Sequence, residues 1–472
     1  MKKLGIGLIL ILSLSVCLMA QEISGKISGI VKDETGLPLP GALVTITNAD
    51  RGYVLKIQTN ETGYYLAPNL APGDSYSLKV ETPGFETQIK HELSVHLGQT
   101  TVSDFILDVA AFNITVVVNE KAPVLETQKG EVSFQVDEKT LNNLPFGRNV
   151  YDIVFLEPGV APTGSDDFSN GSGFSVNGQR GRSNNFVLDG QQNNDPTVTG
   201  PMLSLRNPEI IKEVQIITNS YKAEYGRNMG SVVNIVTRGG TNQFHGTANF
   251  HHLNSKFSSL NNLEKNANYK EKPHFVQHQY GLAIDGPIKK DKLFFLGYFQ
   301  KEEFRGSNVS PTYVAPTALG QQTLRNLRNQ GLINAVTTDL LLNFVPPANG
   351  DVLGSLPIGL GRPPIELGLL TGSLPNLLGL NNYGGRIDFQ KDERNAFFGK
   401  FMVQDAESPY NGSILPKGSG YAVDSSSKNG GIVWDKSVSV QSFNRLQFLA
   451  GDFKVNFGPE NNQPFGNMPE II

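Results

Sequence analysis

The chain has 472 residues, with 40 basic and 44 acidic side chains and a formal charge of −4. That balance excludes the strongly cationic surface a nucleic-acid partner requires. Cys17 is the single cysteine and lies in a segment read as removable, which excludes disulfide and thiol chemistry from the rest.

Met1-Lys2-Lys3 and the apolar run Leu4–Met19 form the basic and apolar parts of a signal peptide, residues 1–20, with cleavage after Ala20. Leu14-Ser15-Val16-Cys17 is a partial lipobox in which Val before Cys is atypical. No later run is long and apolar enough to cross a membrane as a helix, so membrane placement requires a barrel.

Residues 22–110 carry short strand patterns cut by Gly36, Thr62-Gly63, Pro72-Gly73 and Pro83-Gly84, which predicts a small β-sandwich. The Asp33–Ala42 turn and Thr59-Asn60-Glu61-Thr62-Gly63-Tyr64-Tyr65 resemble the carboxypeptidase-regulatory-like, transthyretin-like domain. That resemblance implies a non-catalytic module. Residues 111–129 follow as a linker. Its Ile114, Thr115, Val116, Val117 and Val118 read either as a last sandwich strand or as an exposed stretch open to β-augmentation.

Residues 130–240 predict a mixed α/β domain. Thr140–Leu144 and Arg148–Leu156 read as helices separated at Pro145, and Pro158-Gly159 ends the second. Val214–Thr218 and Val232–Thr237 are apolar on both faces, as central strands covered on two sides would be. Gly178, Gly190, Gly226, Gly239 and Gly240 are expected in left-handed or tightly turned backbone. Arg180, Arg182, Asp189, Asp195, Glu224 and Arg227 are dense polar groups beside apolar strands and are expected to be structural anchors, since buried charges need partners, with contact to a solute or peptide and ordinary solvated surface as the alternatives.

From residue 241 to 472 the texture is one of long alternating strands. Tyr280, Leu282 and Ile284 oppose Gln279, Ala283 and Asp285, and Tyr383, Ile387 and Phe389 oppose Arg386, Asp388 and Gln390. This alternation, with aromatics at strand ends, fits a membrane β-barrel and also a soluble β-sandwich. Leu319–Leu342 is expected to be one helix, and Phe304–Asn381 and Ser408–Lys428 long loops, the first including the Leu/Gly/Pro-rich tract Val352–Leu380.

Several stretches together carry a second resemblance. They are Leu144-Pro145-Phe146-Gly147-Arg148-Asn149, Pro158-Gly159-Val160, the run Gly173–Gly246, and Asp285-Gly286-Pro287-Ile288-Lys289-Lys290-Asp291-Lys292-Leu293-Phe294-Phe295. The chain resembles TonB-dependent outer-membrane receptors of the Oar-like branch. The resemblance implies a mainly β protein: a periplasmic sandwich, a plug over residues 130–240, and the start of a transmembrane antiparallel barrel. It also implies a TonB-contact strand at Ile114–Val118, the TonB complex and outer-membrane lipid as partners, and an unidentified solute or peptide as ligand. An adhesion or structural protein on the same scaffold is the alternative. A barrel around a plug needs about 22 strands, more than the 232 residues after Gly240 supply, so the chain is expected to be a piece of a longer protein.

No catalytic constellation is present in the sequence, neither a nucleophile elbow nor a phosphate loop nor a dinucleotide fingerprint. His245, His251, His252, His274 and His278 fall on adjacent strands, but alternation sends His251 and His252 to opposite faces. No metal, cofactor or enzymatic activity is expected.

Overall fold

A computed structural model describes residues 22–109, 115–118, 130–144, 148–163, 173–196, 200–226, 228–260, 262, 265, 272, 274–309, 312–359, 361–371, 373–411, 421–439 and 442–459. The signal peptide, Ile114, Pro145–Gly147, Asp166-Asp167 and Arg227 lie outside them.

The first unit is a two-sheet sandwich. Gly25–Asp33 is flanked by Tyr64–Leu70 on one side and by Thr100–Val102 and Phe105–Leu107 on the other. The facing sheet runs Tyr53–Gln58, Leu43–Asn48, Gly73–Glu81, Thr87–Val95 and Thr115–Val118. Its two tight turns use one chemistry. Asp33 Oδ1 accepts from the Thr35 and Leu37 amides, and Asn60 Oδ1 accepts from the Thr62 and Tyr64 amides. The side chain completes a turn that the following glycine closes with positive φ, at Gly36 and Gly63. Ile27, Val44, Ile46, Leu78 and Val80 fill the space between the sheets.

The second unit is a five-stranded sheet in the order Val132–Asp137, Ile211–Asn219, Val232–Thr237, Asn185–Leu188 and Gln191–Gln192. Every residue of Val232–Thr237 is buried, because helical turns cover one face and the barrel wall and sandwich the other. Asp137 caps a short helix, Glu138–Asn143, by accepting from the Thr140 amide, and Asn149 starts a 3₁₀ helix, Val150–Leu156. The second of the two expected helices is thus of the tighter kind.

Seven antiparallel strands form the third unit: His245–Asn254, Phe275–Lys289, Leu293–Val309, Ser373–Asp392, Asn395–Asn411, Tyr421–Ser439 and Ser442–Pro459. Three short turns follow Lys289, Asp392 and Ser439 at one end, and the long connections leave at the other, as in outer-membrane barrels. The sandwich sits at the short-turn end: the Asn242 amide donates to Asp50 O, and Arg445 bonds Asn69. Tyr280, Leu282, Ile284, Tyr383, Ile387, Phe401 and Ile432 are exposed on the outer face, while Gln279, Asp285, Gln300, Glu302, Asn382, Lys400 and Gln404 are buried on the inner one. Phe389, Phe397 and Trp434 stack in a row near the short turns, and Phe250 meets Tyr280 toward the other end.

Three expectations are corrected. The single helix over Leu319–Leu342 is two, Ala318–Asn329 and Ala335–Phe344, because Gly331 turns the chain with positive φ. The Val352–Leu380 tract contains strands Val352–Leu356 and Ile365–Leu370, which join Tyr313–Pro316 in a small separate sheet, and its end belongs to a wall strand. The expected loop Ser408–Lys428 is shorter, since the flanking strands extend to Asn411 and begin again at Tyr421.

If the exposed row faces lipid, Ile432→Arg destabilises the assembled barrel by about 2–4 kcal/mol, the cost of a cation near the bilayer midplane. Urea unfolding in lipid vesicles measures this; an unchanged midpoint contradicts the assignment of that face.

Candidate functional site

Chemistry concentrates where the plug sheet meets the inner face of the wall. Asp189-Gly190 is the two-residue loop of a hairpin joining Leu188 to Gln191, and both residues have positive φ, the type I′ geometry that Asp-Gly favours. The turn carries the Asp189 carboxylate to the edge of the sheet, where it is fully buried. Thr237 donates to it from its amide at 2.8 Å and from its hydroxyl at 3.0 Å. Lys400 Nζ donates to Oδ2 at 3.2 Å and to Leu188 O at 2.8 Å, and Arg386 Nη1 lies 3.6 Å from Oδ1. Arg386 is held by Asp388 at 2.7 Å and lies over the Phe398 ring. Burial pushes the Asp189 carboxyl up, but Lys400 and then Arg386 outweigh it, and the group is held below the ordinary aspartate range.

Two further ion pairs cross the same boundary. Arg238 donates to Asp285 Oδ1 at 2.6 Å and also meets Glu138 at 3.2 Å. Arg206 donates to Glu302 at 3.1 Å, and Gln277 shares that carboxylate. Between them, wall amides cap plug carbonyls: Gln300 donates to Arg206 O and Asn382 to Ser204 O. Apolar contact accompanies them: Ala283, Leu296, Tyr298 and Met402 of the wall join the plug core, and Phe398 and Val433 cluster with Val236.

The expected anchors are distributed differently. Asp189 meets the wall. Glu224 is half-buried and accepts instead from the Glu22 amide of the sandwich's first described residue. Asp195 is buried within the plug, and Arg180 and Arg182 are exposed around the turn Gly181–Ser183. Among the expected turn glycines, Gly178 and Gly190 have positive φ. Gly239 and Gly240 are not left-handed; they permit close approach, since a Cβ at Gly240 would lie 2.7 Å from Phe294 Cβ. Gly226 is neither left-handed nor crowded. Arg206, Arg238, Arg386 and Lys400 escaped sequence reading because their partners lie far along the chain, although alternation does place Arg386 and Lys400 on the inner face. His252 and His278 are cross-strand neighbours at 3.4 Å, and among the described residues no group of three or more ligating side chains is arranged to hold a metal ion.

The sandwich also docks on the plug. Glu213, almost fully buried, accepts from the Leu97 amide at 2.9 Å and pairs with His96 at 3.1 Å. The hydrogen bond to Glu213 raises the His96 pKa against the opposing effect of burial. A cavity of about 130 Å³ lies below the Asp189 cluster between all three units, lined by Arg51, Tyr76, Arg386, Asp388, Phe397 and Arg445.

Asp189→Asn leaves the buried Lys400 without its paired carboxylate and is expected to cost about 3–5 kcal/mol in plug docking, read as faster hydrogen exchange at Leu188–Gln191. Because the folded Asp189 pKa is depressed, its contribution is complete above about pH 4 and is lost as pH falls through the folded value. His96 has the opposite sign. Its raised pKa makes the contribution of its pair with Glu213 fully present below about pH 6.5 and lost as pH rises through the folded value. Protection of the Leu97 amide across that range is therefore expected to fall, and to become pH-independent in His96→Gln.

Three family models tile the chain: a carboxypeptidase regulatory-like domain over residues 26–108, a TonB-dependent receptor plug domain over 125–233, and an outer membrane beta barrel domain over 236–470. The chain is 29% identical over 292 residues to the TonB-dependent transporter Oar of Myxococcus xanthus, covering 58% of this chain and 26% of that protein. It is 25% identical over 250 residues to a protein of Acinetobacter baumannii named a probable TonB-dependent siderophore receptor, PirA, covering 46% and 29%. The solved outer membrane transporter YddB from Escherichia coli matches with TM-score 0.43 at 13% identity, covering 68% of this chain and 38% of that one. The chain thus spans between a quarter and a third of the length of these curated relatives. It belongs to the TonB-dependent outer-membrane receptors, as a member with an N-terminal carboxypeptidase-regulatory-like domain.

Proposed function

We propose that the chain forms the sandwich, plug and first wall strands of a receptor that takes up a solute or peptide across the outer membrane, with the plug as a gate worked by the TonB complex. The carrying observation is the polar character of the plug–wall boundary. Three sets of ion pairs, centred on Asp189, Asp285 and Glu302, join elements that a wholly apolar contact would have fused. Such pairs exchange for water at modest net cost when both partners become hydrated together, which suits a contact that has to open and close. Solute identity is left open, and the long connections at the end opposite the sandwich are the natural place for its capture.

The TonB contact is assigned to Ile114–Val118. Thr115–Val118 pairs in parallel with Thr87–Lys90 and is the last strand of its sheet, so its far edge has no partner strand among the described residues. An edge of that kind accepts an added strand. This reading also places residues 22–110 in the periplasm, 111–129 as the join whose Thr115–Val118 stays paired with the sandwich, and 130–240 as the gate.

The test is depletion of a defined mixture of peptides and ferric chelates by cells carrying the complete receptor, with and without a functional TonB complex. Uptake of at least one component that requires TonB, and that Asp189→Asn with Lys400→Met makes leaky or abolishes, is expected. Surface attachment of the same components without accumulation would instead assign the scaffold to adhesion.

A further inference from the structure

A second cluster of charge lies where the chain enters the sandwich beside the plug. Glu22 is tied down from every side: its amide donates to Glu224 at 3.0 Å, Asn234 donates to its carbonyl at 2.8 Å, and its carboxylate pairs with Lys222 at 2.7 Å and Lys26 at 3.1 Å. Ile23 continues into an apolar cluster with Leu97, Val236, Phe398 and Val433. The third carboxylate, Glu131, is different. Its side chain is 4% exposed, neither oxygen makes a hydrogen bond, and Lys222 stays 3.9 Å away. The Oδ1 atom of fully buried Asn234 is likewise without a donor.

Among the described residues the cluster is therefore short of a cation. Glu22, Glu131 and Glu224 carry three negative charges against Lys222 and a half-exposed Lys26. Burial and the neighbouring Glu22 raise the Glu224 pKa, in keeping with that deficit. A carboxylate this buried with no hydrogen bond is costly, and orphaned groups of this kind mark an absent partner. A metal ion suits the site poorly, because no group of three or more acidic or histidine side chains among the described residues has the arrangement of a metal cage.

We infer that this site receives the α-ammonium group of the mature chain. Hydrolysis of the Ala20–Gln21 bond leaves a carboxylate on Ala20 and a new ammonium on Gln21, one residue before the fixed Glu22 amide. An ammonium there supplies three donors to a cluster that lacks them. In the precursor the same nitrogen is a neutral amide with one hydrogen, so the cluster is satisfied only after cleavage. Removal of the signal peptide thus completes the clamp between sandwich and plug. The inference is independent of whether the receptor transports. A protonated amine is also a poor nucleophile, so the site protects Gln21 from cyclising onto its own side-chain amide.

The test uses the full chain exported with its own leader. N-terminal sequencing is expected to find an unblocked Gln21; a pyroglutamyl end, or a mature chain starting elsewhere, overturns the inference. Acylation of the α-amine near neutral pH is then followed. A pKa raised by one unit or more above the ordinary value of about 8 slows it by ~10-fold or more relative to unfolded protein. Glu131→Gln is expected to restore much of the rate. A two-residue extension before Gln21, which keeps every carboxylate but moves the amine, provides the control should Glu131→Gln fail to fold, and is expected to react as an unfolded end does. Among the described residues the titratable groups of the cluster are Glu22, Lys26, Glu131, Lys222, Glu224 and Tyr225, and the extension leaves all of them in place. Equal rates in the parent and extended chains overturn the inference. Sensitivity of the parent's rate to added calcium or to a chelator also overturns it, in favour of a metal ion.

Discussion

A carboxylate with no exposure to water persists only where its counter-charges are fixed around it, and those of Asp189 come from another unit. Lys400 is 211 residues distant in sequence, and Arg386 is braced on the same wall by Asp388 and Phe398. Neither side is satisfied alone: the plug without the wall would lose both cations beside Asp189, and the wall without the plug would hold two inward cations facing one aspartate. The desolvation cost is thereby shared, and docking of the two is set by electrostatics rather than by area. This also explains why wall contributions to the plug core are few. Were the boundary lined throughout by residues like Leu296 and Met402, the plug would be the core of the barrel and as hard to move as any core.

Much of this architecture was legible because its signals are local. Period-two alternation in Phe275–Lys289 assigns Tyr280, Leu282 and Ile284 to one face and Gln279, Ala283 and Asp285 to the other, whatever the strand pairs with. Asp189-Gly190 reads as a hairpin turn because few residue pairs tolerate two successive positive φ values. The all-apolar runs in the plug likewise announce strands covered on both faces. Pairing across units was not legible. Nothing near Lys400 distinguishes it from Gln404 or Asn429, which are also inward and buried, and the choice of Asp189 as its partner depends on the register between a plug hairpin and a wall strand. The connection between the third and fourth wall strands was misjudged for a related reason. Leucine, glycine and proline in bulk look like loop, yet Ile365–Leu370 has neighbours on both edges in a sheet that its composition does not announce.

The three units meet one another directly, each contact having its own chemistry. Sandwich and plug meet through Glu213 with Leu97 and His96, and through the Glu22 cluster, while plug and wall meet through the three sets of ion pairs. The chain leaves the sandwich after the edge strand Thr115–Val118 and enters the plug at Val132–Asp137, which is itself an edge strand. Among the described residues its only ladder is with Ile211–Asn219, beginning at the Val132–Asn219 pair. An antiparallel edge strand drawn away from its first pair loses its hydrogen bonds one after another, whereas a central strand such as Val232–Thr237 has to break two ladders at once. The stretch with least to lose is therefore the one nearest the linker. Behind it stands Glu138, whose carboxylate meets Arg238, which in turn grips Asp285 on the wall. Tension entering at the linker would reach the ion pairs of the wall through this short relay while leaving the central strands intact, so the order of the strands itself decides which part of the plug yields first.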